Sequence, residues 1–133
     1  IVWGNLNLSA AYSLAEEGVF VIAPCPIIVP GDKFLLAILN SKIADYYIRS
    51  LGVTRNGGYF EYKPMFVEKL PVPDVAAKER EKFSGWVDEA IKLRGNGEDS
   101  LSIEELINAH VFQLYGLTDA EIEYVNSANG GRN

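Results

Sequence analysis

Hydrophobic and polar residues alternate near the start of the chain. From residue 6 to residue 14 every second side chain is apolar, a period typical of a half-buried β-strand or strand pair. Residues 19–23 and 27–29 are apolar runs, separated by Pro24-Cys25-Pro26 and closed by Pro30-Gly31, and both are typical of buried strands. The pattern therefore predicts β-structure throughout residues 1–30.

The apolar spacing becomes helical after Asp32. Positions 35, 36, 39, 43, 46 and 47 fall on one face of a helix. Asp32 suits the N-cap, because its carboxylate can accept bonds from the first N–H groups of a helix, and Gly52 suits the end. We therefore predict one helix between Asp32 and Gly52, with its apolar face packed on the sheet.

A hairpin is predicted directly after this helix. Val53–Arg55 and Tyr59–Tyr62 flank the sequence Asn56-Gly57-Gly58. An Asn-Gly pair tolerates the positive φ angles that a tight hairpin turn requires. The side chains on either side of the turn would then lie at or beside its tip.

Beyond Pro73 the pattern is helical. Asp74 suits the N-cap of a helix that carries apolar residues on one side as far as Ile91. Two capping boxes predict further helix starts, because Ser or Thr at the N-cap and Glu three residues later satisfy each other's backbone N–H groups. The boxes pair Ser102 with Glu105 and Thr118 with Glu121.

Together these elements predict an α+β fold. A small mixed or antiparallel β-sheet with a packed helix would precede a C-terminal helical segment. The predicted divisions are a compact domain at 1–73, a connecting helix at 74–94, a linker at 95–101, a helical segment at 102–128 and a disordered tail at 129–133.

Length and composition suit one compact domain with an appendage. The chain has 133 residues, of which 48% are hydrophobic, enough to build a core. It begins at Ile1 without a signal peptide, and the lone Cys25 cannot form an internal disulfide or a Cys-based zinc cluster. We therefore expect a piece of a longer cytoplasmic protein. No membrane helix is expected, since no stretch reaches the roughly 18 apolar residues that one requires.

The net charge of −6 is unevenly distributed. Residues 1–73 carry six Lys or Arg and six acidic residues, whereas residues 74–133 carry six against twelve. Between residues 33 and 69 six basic residues face three acidic ones, a local balance of +3. Such a surface suits either a phosphate backbone or ordinary solvation, and the sequence favours neither.

Three pieces of the sequence, in this order, resemble a known family. They are the helix around Leu39-Asn40-Ser41-Lys42, the Gly57-Gly58-Tyr59 turn, and the run from Phe66 to Leu70-Pro71-Val72-Pro73. Over roughly residues 1–75 the chain resembles the TaqI-like C-terminal specificity domain. Residues 114–118 resemble the helical tail that often follows that domain. The family forms the target-recognition part of type II and IIG restriction-modification methyltransferases.

The resemblance implies a duplex-DNA recognition module of a site-specific adenine DNA methyltransferase, with or without a fused endonuclease. S-adenosylmethionine and the flipped adenine are expected in a separate N-terminal methyltransferase domain, the module's second partner. The Asn/Asp-Pro-Pro-Tyr/Phe motif of amino-methyltransferases does not occur in the 133 residues. The chain itself is therefore predicted to be non-catalytic and to bind no cofactor.

Candidate DNA contacts come from side-chain chemistry at the predicted hairpin. Arg55 can bond the O6/N7 edge of guanine, Asn56 the N6/N7 edge of adenine, and Thr54 either base. Tyr59 and Tyr62 can stack or bond backbone. The basic residues predicted to contact phosphates are Lys33, Lys42, Arg49 and Lys63. A weaker second surface lies near Asn5, Asn7 and Ser9. Asn40 and Ser41 are expected to bond neighbouring backbone rather than DNA.

Two other interpretations of these residues remain open. The Asn56-Gly57-Gly58 turn and the tyrosines can serve the fold alone. The whole chain can instead be an assembly domain, which binds the rest of the enzyme and has little DNA affinity of its own.

A catalytic interpretation rests on one pattern. Asp45 followed by Glu61-Tyr62-Lys63 has the residue order of a metal-dependent nuclease. Asp45 is in mid-helix, however, where we expect it to be solvated beside Lys42 or Arg49. His110 is the only histidine, so a Ser-His-Asp triad and a His-rich metal site both lack their parts. We predict no catalytic and no metal-binding residue.

Overall fold

The computed structural model describes residues 1–3, 6–7, 11–14, 32–52 and 60–129. The strands in this part of the chain are β1 (Val2–Trp3), β2 (Leu6–Asn7), β3 (Tyr12–Ser13) and β4 (Phe60–Glu61). The helices are α1 (Lys33–Leu39), α2 (Lys42–Leu51), α3 (Pro64–Val67), α4 (Ala77–Gly95), α5 (Leu101–Leu114) and α6 (Asp119–Asn129).

The prediction of an α+β fold built on a small β-sheet domain is wrong. Most of the described residues are helical, and β-structure among them is limited to two antiparallel pairs of two-residue strands, β1 with β3 and β2 with β4. Alternation of apolar and polar residues reports that the backbone is locally extended. It does not report how many strands pair. The strands predicted within residues 15–31 and the turn at 56–58 lie outside the described residues.

The predicted single helix between Asp32 and Gly52 is two helices. Asp32 caps α1 as predicted, accepting a bond of 2.7 Å from the N–H of Phe34. The break lies at Asn40 and Ser41, where the Ser41 hydroxyl becomes the N-cap of α2 by accepting from the N–H of Ala44. Short polar side chains compete with the helical backbone in this way. The sequence pattern showed the apolar face but not the break.

The side chain of Asn40 also makes hydrogen bonds to the backbone of β3. Its side-chain oxygen accepts from the N–H of Tyr12 at 2.9 Å, and its amide nitrogen donates to the carbonyl of Tyr12 at 3.0 Å. The Ser41 hydroxyl donates to the carbonyl of Ile38 at 2.6 Å. The prediction that these two side chains bond backbone is therefore confirmed, and β3 is fixed to the end of α1.

The helices after Pro73 pack on the same core as the residues before it. The rings of Phe34 in α1 and Phe83 in α4 meet edge to face at 5.1 Å. α5 packs on α4, and α6 packs on α2, where the rings of Tyr46 and Tyr124 lie 5.9 Å apart. One cluster of buried residues reaches from Ile1 to Val111. The helices are thus a layer of the fold rather than an extended spacer.

Of the three caps predicted for the later helices, one is confirmed and two are wrong. Thr118 and Glu121 form the predicted capping box, with bonds of 2.9 and 3.3 Å between each side chain and the other's N–H. The predictions for Asp74 and for Ser102 with Glu105 are wrong. α4 begins after Ala76 without a side-chain cap, and α5 begins after Ser100. None of the helices in the described ranges has the length and apolarity that crossing a membrane requires.

Candidate nucleic-acid interface

A buried ion pair joins the first turn of α2 to its last turn. Asp45 and Arg49 are four residues apart, so their side chains share one face of the helix. The Arg49 Nη2 is 2.9 Å from Oδ2 of Asp45, and Arg49 Nε donates to Oδ1 at 3.1 Å. Their side chains are only 8% and 10% exposed, respectively. This is a two-point contact between a guanidinium and a carboxylate, the geometry that fixes both groups in orientation.

Tyr62 joins this pair to the residues that follow β4. Its hydroxyl donates to Oδ1 of Asp45 at 2.6 Å and accepts from Arg49 Nε at 3.4 Å. The guanidinium carbon of Arg49 also lies 4.6 Å from the centre of the Phe60 ring, a cation–π contact. Residues two apart in a strand point to the same side, so Phe60 and Tyr62 both face α2. We call Asp45, Arg49 and Tyr62 the α2–β4 cluster.

Two aromatic residues from the start of the chain enclose Tyr62. The indole N–H of Trp3 donates to the carbonyl of Tyr62 at 2.6 Å. The ring of Tyr12 meets that of Tyr62 edge to face at 6.4 Å. Tyr62 is therefore held through its hydroxyl by α2 and through its backbone by β1.

Burial raises the pKa of both tyrosine hydroxyls. The pKa of the Tyr62 hydroxyl is raised well above its ordinary value, mainly by burial and then by its bond to the Asp45 carboxylate. The pKa of Tyr12 is also raised, mainly by burial, with the charges of Tyr62 and Asp45 adding to the effect. Among the described residues the Tyr12 hydroxyl is buried without a hydrogen-bond partner. Both hydroxyls are therefore neutral at physiological pH.

The β2–β4 pair joins part of the weaker candidate surface to the strand that follows the predicted hairpin in the chain. In the β2–β4 pair Asn7 lies opposite Phe60, and Leu6 lies opposite Glu61. Asn7 belongs to the weaker candidate surface, and Phe60 directly follows the hairpin candidate Tyr59 in the chain. The backbone of one candidate surface is thus bonded next to the end of the other.

Four of the predicted DNA contacts, Thr54, Arg55, Asn56 and Tyr59, lie outside the described residues. Segment 53–59, which contains them, runs from Gly52 at the end of α2 to Phe60 at the start of β4. α2 supplies Asp45 and Arg49 to the α2–β4 cluster, and its third member, Tyr62, directly follows β4. Lys63 is the residue after Tyr62 and occupies the N-cap of α3.

The other predicted phosphate contacts are spread over the molecule. Lys33 begins α1, and its ammonium lies 2.6 Å from a carboxylate oxygen of Asp88 in α4. Lys42 begins α2, so it lies about 10 Å along the helix axis from Arg49 at the rise of a helix. Its N–H donates to the side chain of Asn108 in α5. Arg49 and Lys63 flank segment 53–59 along the chain, whereas Lys33 and Lys42 lie at the starts of their helices.

The expectation that Asp45 is solvated is wrong, although Arg49 is its partner as expected. Both carboxylate oxygens accept bonds from Arg49, and one also accepts from Tyr62. A metal ion would have to displace these bonds, because it binds through the same oxygens. Within the described ranges no three His, Cys, Asp or Glu side chains are placed to hold a metal ion.

Sequence reasoning missed the part that Trp3, Tyr12 and Tyr62 play in this region. The Asp45–Arg49 spacing was a usable signal, since opposite charges four residues apart meet on a helix. The residues around Asp45 and Arg49 in the sequence do not indicate that the pair is buried. It depends on aromatic residues from both sides of the chain.

A second feature, away from the α2–β4 cluster, is a groove of about 660 Å³ between β3, α1, α4 and α5. Its lining combines polar side chains, among them Asn40, Arg94 and Asn108, with apolar ones. Ile91 lines it and is 49% exposed. The groove therefore offers both hydrogen-bonding and apolar contacts.

The chain was compared with known protein families, curated proteins and solved structures. A family model described as the TaqI-like C-terminal specificity domain matches residues 1–72. No curated protein and no solved structure matches the chain. The matched residues include all four strands, α1 to α3 and the complete α2–β4 cluster.

Proposed function

The chain belongs to the family of TaqI-like C-terminal specificity domains, and on that basis we propose that it recognises a specific sequence in duplex DNA for a restriction-modification enzyme. Family membership, predicted from the sequence, is confirmed. It is the observation that carries the proposal. In this role the module docks on DNA and chooses the site, while chemistry takes place in another domain.

The parent enzyme that we propose is an adenine DNA methyltransferase. Its N-terminal domain would bind S-adenosylmethionine and receive the flipped adenine. A fused endonuclease is compatible with this arrangement. The present chain would contribute binding and sequence choice but no catalytic group.

Within the module we propose that segment 53–59 reads bases. Arg55 and Asn56 carry side chains suited to guanine and adenine edges, and Lys63 follows the segment closely enough to contact a phosphate. Two features of the described residues support the proposal. The residues that flank the segment adjoin a buried, hydrogen-bonded cluster, and the backbone of Asn7 pairs with that of Phe60.

Selection from random duplex DNA tests this function. The chain is incubated with a pool of random duplexes at low and at moderate salt, and the retained DNA is sequenced. A short consensus is expected, with retention weakened by salt because phosphate contacts release counterions. The double variant Arg55→Ala with Asn56→Ala should lose the consensus.

Lys92→Ala is the matched control for loss of one positive charge. Lys92 is exposed on α4, outside the matched residues, so this variant should enrich the wild-type consensus. Absence of any consensus for the wild-type chain at low salt would contradict the proposal.

The groove between β3, α1, α4 and α5 favours a second candidate function. Its exposed Ile91 and its polar lining suit contact with another protein domain. The chain would then be an assembly domain that binds the methyltransferase domain and has little DNA affinity. This candidate predicts that Ile91→Asp abolishes co-purification with the separately produced methyltransferase domain. DNA selection by the wild-type chain would yield no consensus.

A further inference from the structure

We propose that the outer side of α3 is a docking surface for the DNA backbone. It consists of Lys63, Met65 and Lys69, which we call the α3 surface. The inference rests on the proposed function and adds to it a contact that does not read bases. The two lysines would bind phosphates, and Met65 would make an apolar contact with the minor groove beside them. Lys69 and Met65 are not among the DNA contacts that the sequence predicts.

The local fold presents Met65 and Lys69 on one side. Helical turns continue past the end of α3, because the N–H groups of Lys69 and Leu70 donate to carbonyls three residues back at 3.2 and 3.1 Å. Val67 and Leu70 are buried on the inner side of these turns. Met65 and Lys69 are exposed and four residues apart, the spacing of neighbours on one side of a helix. They therefore share the outer side, and the partly exposed Lys63 precedes them at the N-cap.

The backbone of this region is fixed to the rest of the fold at both ends. Tyr62, one residue before the α3 surface begins, is bonded into the α2–β4 cluster. At the other end the hydroxyl of Tyr47 in α2 donates to the carbonyl of Lys69 at 3.3 Å. Two residues further on, the hydroxyl of Tyr115 donates to the carbonyl of Pro71 at 2.5 Å. A surface held in this way loses little backbone freedom when it binds a partner.

Charge and side-chain chemistry favour DNA over another protein as the partner. Lysine is depleted at protein–protein interfaces and is a common phosphate contact on DNA. None of the ion pairs among the described residues includes Lys69, so binding a phosphate breaks none of them. Met65 is 53% exposed, and methionine is one of the apolar side chains that minor-groove proteins place against DNA. Glu68 is the one acidic residue between positions 63 and 69, which leaves a net charge of +1.

The salt dependence of binding to a scrambled duplex tests the lysines. Each phosphate contact adds about 0.9 to the slope of log affinity against log salt. Lys69→Ala should therefore reduce the slope by about 0.9 and weaken binding about tenfold near 0.1 M salt. Lys63→Ala should do the same, whereas Lys69→Arg retains the charge and should retain the wild-type slope. Lys92→Ala, which removes an exposed charge from α4, is the matched control and should also retain it.

The affinity of Met65→Ala tests the apolar contact. Its affinity should fall about fivefold, because the part of Met65 that is exposed in the free chain is buried on DNA. The salt slope should not change, since no charge is removed. Leu101→Ala is the matched control, because Leu101 lies in α5 and is 58% exposed. That variant should bind the duplex as the wild-type chain does.

The outcomes separate this proposal from the proposed function. A wild-type slope for Lys69→Ala, or equal affinities for Met65→Ala and Leu101→Ala, would overturn the α3 surface even if the chain selects a consensus. Duplex binding without a consensus would contradict sequence recognition, and the slopes of Lys69→Ala and Lys92→Ala would still decide the docking surface. Absence of duplex binding at low salt would reject both. Unchanged duplex binding, with co-purification of the methyltransferase domain lost in Met65→Ala and Lys69→Ala, would assign the surface to a protein partner and overturn the proposal.

Discussion

Two groups in the described part of the chain each combine an arginine, a carboxylate and a hydroxyl, and they differ in burial. In the α2–β4 cluster the side chains of Arg49 and Asp45 are 8% and 10% exposed. In the second group the side chains of Arg94 and Glu104 are 67% and 37% exposed, although Ser100, which supplies the hydroxyl, is buried. The same chemistry thus occurs once in the core and once at the surface.

The two groups also connect different parts of the chain. The buried one connects α2 to Tyr62, which is 13 positions beyond Arg49 and 17 beyond Asp45. The exposed one connects α4 to α5 across a short turn, where Gly97 has φ 71 and the chain already holds the helices together. A surface ion pair contributes little to stability, because water solvates the two charges almost as well when they are apart. A buried pair is costly to break and can fix the relative orientation of the elements that it joins. The difference between the two groups in their contribution to the free energy of unfolding can be measured.

The largest effect is expected for Asp45→Ala. The substitution breaks a buried ion pair by removing the carboxylate that Arg49 contacts at two points, and breaking such a pair in other proteins lowers the free energy of unfolding by about 3–5 kcal/mol. That is a large part of the roughly 5–15 kcal/mol that stabilises a domain. Urea unfolding followed by circular dichroism measures it, with the midpoint moving to lower urea.

Glu104→Ala makes the corresponding change at the surface. Because Arg94 stays solvated, the loss should be below about 1 kcal/mol. If both substitutions lower the free energy of unfolding by the same amount, burial does not distinguish the two groups.

A smaller effect is expected for Tyr62→Phe. The hydroxyl donates to a charged acceptor in the core, so its removal should lower the free energy of unfolding by about 1.5–3 kcal/mol. Tyr12→Phe is the contrasting change. That hydroxyl is buried and, among the described residues, makes no hydrogen bond, so removing it should leave stability unchanged or raise it.

Thermal unfolding of the two phenylalanine variants compares them directly. The melting temperature should fall for Tyr62→Phe and should not fall for Tyr12→Phe. The reverse order would mean that the bond to Asp45 does not stabilise the fold.

The sequence predicted local features of this region better than long-range ones. Asp32 as a cap, the Thr118–Glu121 box, and the bonds from Asn40 to the carbonyl of Leu36 and from Ser41 to that of Ile38 are confirmed. Each depends on residues within about one turn of a helix, or on a side chain that can bond its own neighbourhood.

Features that depend on distant residues were predicted wrongly or not at all. Asp45 is buried because Tyr62 covers it, and Tyr62 is 17 residues away. The prediction of extensive β-structure was wrong for a similar reason. Alternation marks extended backbone, but the partners of a strand are set by packing, and here helices supply most of the buried surface. The residues predicted to read bases, in segment 53–59, lie outside the described residues and stay predictions.

Alkaline pH should affect the buried group through its hydroxyl. The pKa of Tyr62 in the folded chain is raised by burial above its unfolded value near 10, and burial raises the pKa of Tyr115 to about 12. Above pH 10 the unfolded chain therefore binds fewer protons than the folded one. The free energy of unfolding must then fall as the pH rises.

Urea unfolding between pH 9 and pH 11 measures this slope. Wild-type stability should be constant below about pH 10 and decline above it, and the decline should be shallower in Tyr62→Phe and in Tyr115→Phe. Ser100→Ala in the exposed group should leave the slope unchanged, since a serine hydroxyl does not titrate in this range. A slope that is the same in all four proteins would exclude the tyrosines as its source.

The smallest effect is the coupling between Arg94 and Glu104 themselves. A double-mutant cycle with Arg94→Ala and Glu104→Ala isolates it, and exposed pairs of this kind give about 0.2–1 kcal/mol. Salt should reduce that coupling, because at about 1 M the screening length falls to about 3 Å. The corresponding cycle with Asp45→Ala and Arg49→Ala should give a larger coupling that changes little with salt, since solvent ions do not reach a buried pair. A coupling for Arg94 and Glu104 that is as large and as insensitive to salt would mean that their geometry, rather than burial, governs both groups.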